Sequence, residues 1–141
     1  MASFNKINQF VEDLAKKVHN LNSDTLKVML TNTAPNASTN AIKADITEIS
    51  AGNGYIAGGN TAAFSSGAQT TGTYKLVLSD PATWTASGGS VGPFRYAVLY
   101  NSTTANGNLI GWWDYGSSVT LADGEQFTVD LDQSTGVLTL A

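Results

Sequence analysis

The octapeptide FRYAVLYN (94–101) carries apolar side chains at both its odd and its even positions. Successive side chains of a β-strand point to opposite faces of the sheet, so a strand with one solvated face alternates apolar and polar residues. A stretch that is apolar on both phases is typical of a strand covered on both faces. We therefore expect residues 94–101 to form a central strand.

Further strands are predicted on either side of this one along the chain. TLKVMLTN (25–32) and YKLVLSD (74–80) each place leucine or valine at every second position, which is the period of a strand. EQFTVDLD (125–132) follows the same period, with Phe127, Val129 and Leu131 inward. The turn residues QSTG and the segment VLTLA come next, so residues 125–141 are predicted to form a hairpin.

Glycine, serine, threonine and asparagine dominate the segments between these strands, and such composition indicates loops. The loops span residues 32–41, 50–72, 79–93 and 101–108. The second and third are long for a compact domain, so each is expected to be functional surface or to hold short edge strands of its own. The fold class predicted is mainly β, a single-domain antiparallel β-sandwich or jelly-roll-like fold with one N-terminal amphipathic helix.

The N-terminal segment shows the apolar spacing of a helix from Phe4 to Val18. Ser3 is the expected N-cap, and the cationic side chains near position 17 suit the negative end of the helix dipole. Phe10 and Leu14 are expected to pack against the sheet or against a neighbouring subunit. We therefore divide the chain into an N-terminal helix and arm (1–22) and a β-sandwich domain (23–141).

Composition narrows the classes of function. Charged residues make up 13% of the 141 residues, the formal net charge is −4, and the seven Lys and Arg residues are scattered. Binding to a phosphate backbone needs a dense cationic face, so no direct nucleic-acid partner is expected. The chain has no cysteine, which excludes disulfides and thiolate zinc sites. No apolar run approaches the length of a membrane span, so a soluble protein without a membrane partner is expected.

Residues that could carry chemistry are few. His19, the single histidine, is expected to be a solvated residue at the end of the helix, because no nucleophile motif accompanies it. Paired acids occur as Asp45 with Glu48 and as Asp130 with Asp132, and we interpret them as solubilising surface rather than as a glycosidase pair. The segment DLDQSTG (130–136) lacks the glycine and the glutamate positions of an EF-hand loop. The chain is therefore predicted not to be an enzyme, with no catalytic residue, no cofactor and no metal.

The aromatic segment LIGWWDYG (109–116) offers the clearest candidate contact surface. Alternation along a strand puts Trp113 and Tyr115 on one face and Trp112 and Asp114 on the other. The two indoles therefore cannot form one coplanar sugar platform. We expect the Trp113 face to be core and Trp112 to lie at or near the surface, where subunit contact, sugar stacking and burial under a loop are the alternatives.

A partner interface is predicted from this segment, from the long loops and from the helix. Its members are aromatic or apolar residues, together with one acid. They are Trp112, Asp114, Trp84, Tyr55, Phe10 and Leu14.

Three segments resemble small virion structural proteins of tailed bacteriophages: GSVGPFRYAVLYN (89–101), LIGWWDYGSSVTLADGEQFTVDLD (109–132) and the closing GVLTLA (136–141). VEDLAKKVHNLNSDTLKVMLTNTAP (11–35) is similar to a lesser degree. The resemblance is closest to head decoration, or cement, proteins, and it implies a location on the outer capsid surface of the virion after synthesis in the bacterial host cytoplasm. It further implies the major capsid protein as the partner and a homo-oligomer, with a trimer as the expected number.

Two other functions stay open at this point. A tail or neck protein could contact host glycans through exposed aromatics, for which Trp84, Trp112, Tyr55 and Tyr100 are the candidates. A glycan depolymerase would need Asp130, Asp132, Asp45 or Glu48 to converge in one cleft.

Overall fold

The computed structural model describes residues 2–141, and within that range the chain forms ten β-strands and one short α-helix. It is mainly β, as the sequence predicts. The elements in chain order are β1 (Asn5–Lys6), α1 (Asn8–Ala15), β2 (Leu26–Thr31), β3 (Asn60–Thr61), β4 (Phe64–Thr70), β5 (Thr73–Leu78), β6 (Trp84–Thr85), β7 (Val91–Asn101), β8 (Leu109–Leu121), β9 (Gln126–Phe127) and β10 (Leu138–Leu140). A single 3₁₀ turn covers Lys43–Asp45.

The strands form antiparallel sheets that share one core. The five-stranded sheet has the order β1-β8-β7-β2-β3, the three-stranded sheet has the order β10-β5-β4, and β6 pairs with β9. Leu30 of the first sheet, Leu76 of the second and Trp84 of the third belong to the same hydrophobic cluster. The arrangement is consistent with a β-sandwich that has an N-terminal helix.

The predicted central strand is confirmed. β7 lies in the middle of the five-stranded sheet, with β8 on one side and β2 on the other. Val98 and Leu99 point to opposite faces and both are fully buried, because both faces of this sheet are covered. No helix in the described range is long and apolar enough to cross a membrane.

The two long loops hold edge strands, which was one of the two expectations for them. Residues 50–72 contain β3 and β4, and residues 79–93 contain β6 and the start of β7. The predicted hairpin at 125–141 is wrong, since β9 pairs with β6 and β10 pairs with β5. The periodicity of Phe127, Val129 and Leu131 arises because these side chains face the core from a mostly irregular segment.

The helix is shorter than its apolar pattern predicts. Residues 5 and 6 pair with β8, and Ile7 is extended, so the helix begins at Asn8 and Ser3 is not its N-cap. The helix ends near Lys16, because Lys17 has a φ of 64° in the left-handed region. Phe10 is fully buried in the core and Leu14 packs against it half-buried, which places both against this chain's own sheets.

The prediction of a solvated His19 is wrong. The side chain is only 5% exposed, and its Nδ1 lies 3.1 Å from the Nδ2 of Asn101. The same amide donates to Asp24 at 2.6 Å, so Nδ1 acts as the acceptor and the neutral ring carries its proton on Nε2. Burial lowers the pKa of His19 below its usual 6.5, although the nearby Asp13 and Asp24 act in the opposite direction.

Acidification should therefore destabilise the protein through His19. Between the lowered folded pKa and 6.5 the unfolded chain binds more protons than the folded one, so the free energy of unfolding falls as pH falls through this window. The slope contributed by one group is at most about 1.4 kcal/mol per pH unit. Urea titrations at pH 7.5 and pH 5.5 check this, with His19→Gln as the control that cannot charge. Equal losses of stability in the two proteins would contradict the prediction.

Candidate interaction surface

A bulge of several residues in β8 interrupts the pairing of β7 with β8. Tyr96 is opposite Asp114 and Phe94 is opposite Val119, so Arg95 alone faces residues 115–118. The surplus residues cannot stay in the plane of the ladder, and they project from the sheet. All four of them are exposed. The bulge therefore exposes four consecutive side-chain positions of the long strand β8.

Asp114 holds the bulge in shape. Its Oδ1 accepts a hydrogen bond from the backbone N–H of Gly116 at 2.8 Å, and Gly116 has a φ of 101° that favours glycine. Arg95 donates from Nε and Nη2 to the two carboxylate oxygens at 2.8 and 3.0 Å. These bonds, above all those from Arg95, keep the pKa of Asp114 below its ordinary value. The sequence DYG thus encodes a fixed turn that presents the intervening Tyr115.

Tyr115 is the exposed end of a row of aromatic rings. Its side chain is 57% exposed, and its ring meets that of Phe127 edge-on at 5.4 Å between centroids. Phe127 in turn contacts Phe94 at 4.8 Å and Trp84 at 6.4 Å, and Trp84 stacks on Tyr55 at 6.3 Å. Because Trp84 and Tyr55 lie in the core, the row connects the core to the surface and fixes the position of the exposed ring.

A half-open groove lies beside this row, and we call it the aromatic groove. Its volume is about 380 Å³. Most of its lining residues are aromatic or aliphatic, and a few are polar. The residues that define it here are Phe94, Trp113, Tyr115, Phe127, Val129 and Asp130.

The predicted contact residues outside LIGWWDYG lie in the core or pack against it, which for Phe10 and Leu14 is one of the two expected positions. The prediction that Trp84 is exposed on a loop is wrong, because Trp84 is 1% exposed in β6. Tyr55 is 2% exposed, and its hydroxyl accepts from the N–H of Leu30 at 3.0 Å and donates to Glu48 at 2.7 Å. Phe10 is buried and Leu14 is half-buried against the core. Tyr100, a candidate for glycan contact, is also buried.

The expectation that Trp113 lies in the core and Trp112 at the surface is not met. Trp112 and Trp113 are both half-buried and both pack against the core. Phe4 lies over the Trp113 side, with its ring 5.2 Å from the indole, and the absence of a side chain at Gly111 leaves room for it. Tyr115, expected to share the buried face of Trp113, is exposed because the bulge turns it outward.

The acidic candidates are dispersed. Glu48 accepts hydrogen bonds from Tyr55 and from the N–H of Gly58, and Asp45 accepts from the N–H groups of residues 41 and 42. Asp132 accepts hydrogen bonds from the hydroxyl of Thr135 and from the N–H groups of Thr135 and Ser134, and these bonds lower its pKa to about 2. Asp130 is among the residues that line the aromatic groove. Within residues 2–141 no three His, Asp or Glu side chains are grouped so as to hold a metal ion.

Comparisons of the chain with protein-family models, with curated proteins and with solved structures found no match.

Residue patterns alone did not predict that Tyr115 is exposed and that its ring packs against Phe127. The pattern of β8 gives no sign of the bulge except the glycine at 116, next to an acid that can hold a turn. That combination, Asp-x-Gly inside an otherwise regular strand, is the signal that could have identified the exposed position.

Proposed function

We propose that this protein is a structural component of a tailed-phage virion, bound to the outside of the capsid as a decoration, or cement, protein that stabilises the lattice of the major capsid protein. The observation that carries the proposal is the exposed Tyr115 beside the aromatic groove. An exposed aromatic ring that lines a mostly apolar groove is the kind of site that anchors protein interfaces, where Tyr, Trp and Arg are enriched among the residues that carry most of the binding energy.

The groove is built from the segments that carry the family resemblance. Residues 89–101 supply Phe94 and Arg95, and residues 109–132 supply the bulge together with Phe127 and Asp130. The segments that carry the resemblance thus include the proposed contact surface as well as the strands behind it. This coincidence favours a shared mode of binding over a shared scaffold alone.

Binding to the assembled capsid lattice would stabilise that lattice by mass action. A protein that binds only the assembled lattice lowers the free energy of that state by an amount that grows with its concentration and affinity. A low content of charged residues, 13% of the chain, suits close packing of many copies on one shell, because repulsion between neighbouring copies is small.

The exposed rings also support a second candidate, a tail or neck protein that contacts host glycans. Tyr115 offers an aromatic face, and Asp130, an exposed residue of the groove lining, offers a carboxylate that accepts hydrogen bonds from sugar hydroxyls. Here the ligand would be a sugar rather than a protein segment.

The location of the protein on the particle distinguishes these two functions. We expect a cryo-electron microscopy reconstruction of purified virions that carry the protein to contain its density at repeated positions over the outer shell, with the Tyr115 side facing a capsid subunit. Density confined to the tail, the neck or the fibres would overturn the decoration proposal and favour glycan contact.

The same particles allow a quantitative test of the groove. Tyr115→Ala should weaken binding to shells stripped of the protein by about 2 kcal/mol, or roughly thirty-fold. Ile56→Ala is the matched control, because Ile56 is also a large exposed side chain, at 71% exposure, and does not line the groove. Equal binding by the two variants, with unchanged melting of both, would show that the groove is not the contact.

A further inference from the structure

The outer edge of the three-stranded sheet is open. β4 pairs with β5 on one side, and no strand of the described residues lies on its other side. Every residue of β4 except Gly67 is exposed. In an antiparallel pair alternate residues direct their N–H and C=O groups away from the partner, so β4 presents unpaired backbone groups to solvent.

The turn that joins β4 to β5 shows which backbone groups of β4 are unpaired. Thr71 and Gly72 have φ values of 49° and 86°, as in a two-residue type I′ turn, which closes on the hydrogen-bonded pair Thr70 and Thr73. Ala68 lies two residues before Thr70 and therefore also bonds to β5. The backbone groups of Gly67 and Gln69 consequently point outward.

From Ser66 to Thr70 this edge lacks the features that usually keep exposed strands apart. Charged side chains, prolines and bulges are the common means of protection. Residues 61–74 contain no charged residue and no proline. The bulge in β4 lies between Phe64 and Ser66, so the run from Ser66 to Thr70 is a regular ladder.

We propose that this run pairs with the same run of a second copy of the chain, antiparallel and about a two-fold axis at Ala68. Length favours this partner over the other strand edges of the described chain. β1 and β3 have two residues each and β10 has three, so none of them matches β4 along its regular run. β8 is longer, but its bulge at 115–118 interrupts any straight ladder.

Charge also favours a second copy at this place. The chain has a net charge of −4, so two copies repel each other on average. Repulsion is weakest where both surfaces are neutral, and β4 itself carries no charged side chain. The first charged side chain, that of Lys75, lies one strand away from the open edge, opposite Ala68 in β5.

The register of the pairing between the two copies follows from the residues of β4 whose backbone groups point away from β5. With Ala68 opposite Ala68 of the second copy, Gly67 is opposite Gln69, and these two residues can exchange both of their backbone hydrogen bonds. The Ala68 pair is then the non-hydrogen-bonded kind, with Cα atoms about 4.5 Å apart. That distance lies within the range of about 4.4–6.8 Å that a disulfide spans.

Because the natural chain has no cysteine, a single cysteine tests this register directly. Ala68→Cys should form a disulfide-linked dimer under mild oxidation. Thr120→Cys is the matched control, since Thr120 is an exposed strand residue on the other sheet. In light scattering the natural protein should show twice the 14.7 kDa of the chain, and Ala68→Lys should return it to the monomer mass while Thr120→Lys should not.

Several outcomes would overturn the pairing. These are a monomer or a trimer mass for the natural protein, crosslinking of Ala68→Cys no faster than of Thr120→Cys, or a dimer that survives Ala68→Lys. Circular dichroism melting of each variant verifies that the protein is folded. No virion enters these assays, so their result is independent of the proposed binding to the capsid.

Discussion

Trp84→Ala is expected to lower the free energy of unfolding by about 3–5 kcal/mol, measured by urea denaturation. The indole is fully enclosed between Tyr55 and Phe127, and its removal leaves a cavity that the two rings cannot fill without moving. Because Phe127 also supports Tyr115 at the surface, the loss should loosen the aromatic groove as well as the core.

Trp84→Phe provides the control for this prediction. Phenylalanine keeps a ring in the stack, and it removes an indole N–H that is buried without a hydrogen-bond partner among residues 2–141. Its cost should therefore be well below that of alanine. A Trp84→Ala protein that unfolds at the same urea concentration as the natural one would mean that this tryptophan is not in the core in solution.

Gly59→Ala is the second change from which we expect a large loss, about 3–5 kcal/mol of unfolding free energy or a failure to fold. Gly59 has a φ of 71°, and a Cβ atom there would lie 1.9 Å from the carbonyl oxygen of Val28. Since the obstacle is the backbone of β2, no side-chain rotation relieves it. Gly59 is what lets β3 approach β2 immediately after the turn.

Gly72→Ala is a control that distinguishes the cost of a positive φ from the cost of the clash with β2. Gly72 has a φ of 86°, but a Cβ atom there would meet nothing within 4 Å. Only the conformational cost of about 1–2 kcal/mol then applies. If both alanine variants lost the same stability, the close approach of Gly59 to β2 would not be the cause.

Strands with a clear period could be predicted from the sequence. β2, β5 and β7 follow from the spacing of their leucines and valines, and the double-sided apolar pattern of β7 placed it in the centre of its sheet. In these strands each side chain meets neighbours of the same sheet, so local alternation carries the information.

Burial within the long loops could not be predicted in the same way. Tyr55 and Trp84 stand among glycine, serine and threonine residues, which suggests a solvated loop. Their burial depends on contacts remote in sequence, such as the bond from Leu30 to the Tyr55 hydroxyl. The burial of His19 could not be predicted for the same reason, since its partner Asn101 is distant along the chain.

The candidate site was predicted in part. The sequence directed attention to LIGWWDYG, and the groove does involve this segment. Strict alternation, however, assigned Tyr115 to the buried face, because a bulge is a property of two strands and cannot be counted from one.

The position of Trp113 in the wall of the aromatic groove has a practical consequence. Indole emission depends on the polarity around the ring, and this ring is half-buried where an occupant would displace water. Trp84, enclosed in the core, and Trp112, which does not line the groove, supply a nearly constant background beside it. The natural protein therefore carries its own optical probe of groove occupancy, and titrations can be followed by intrinsic fluorescence without a label.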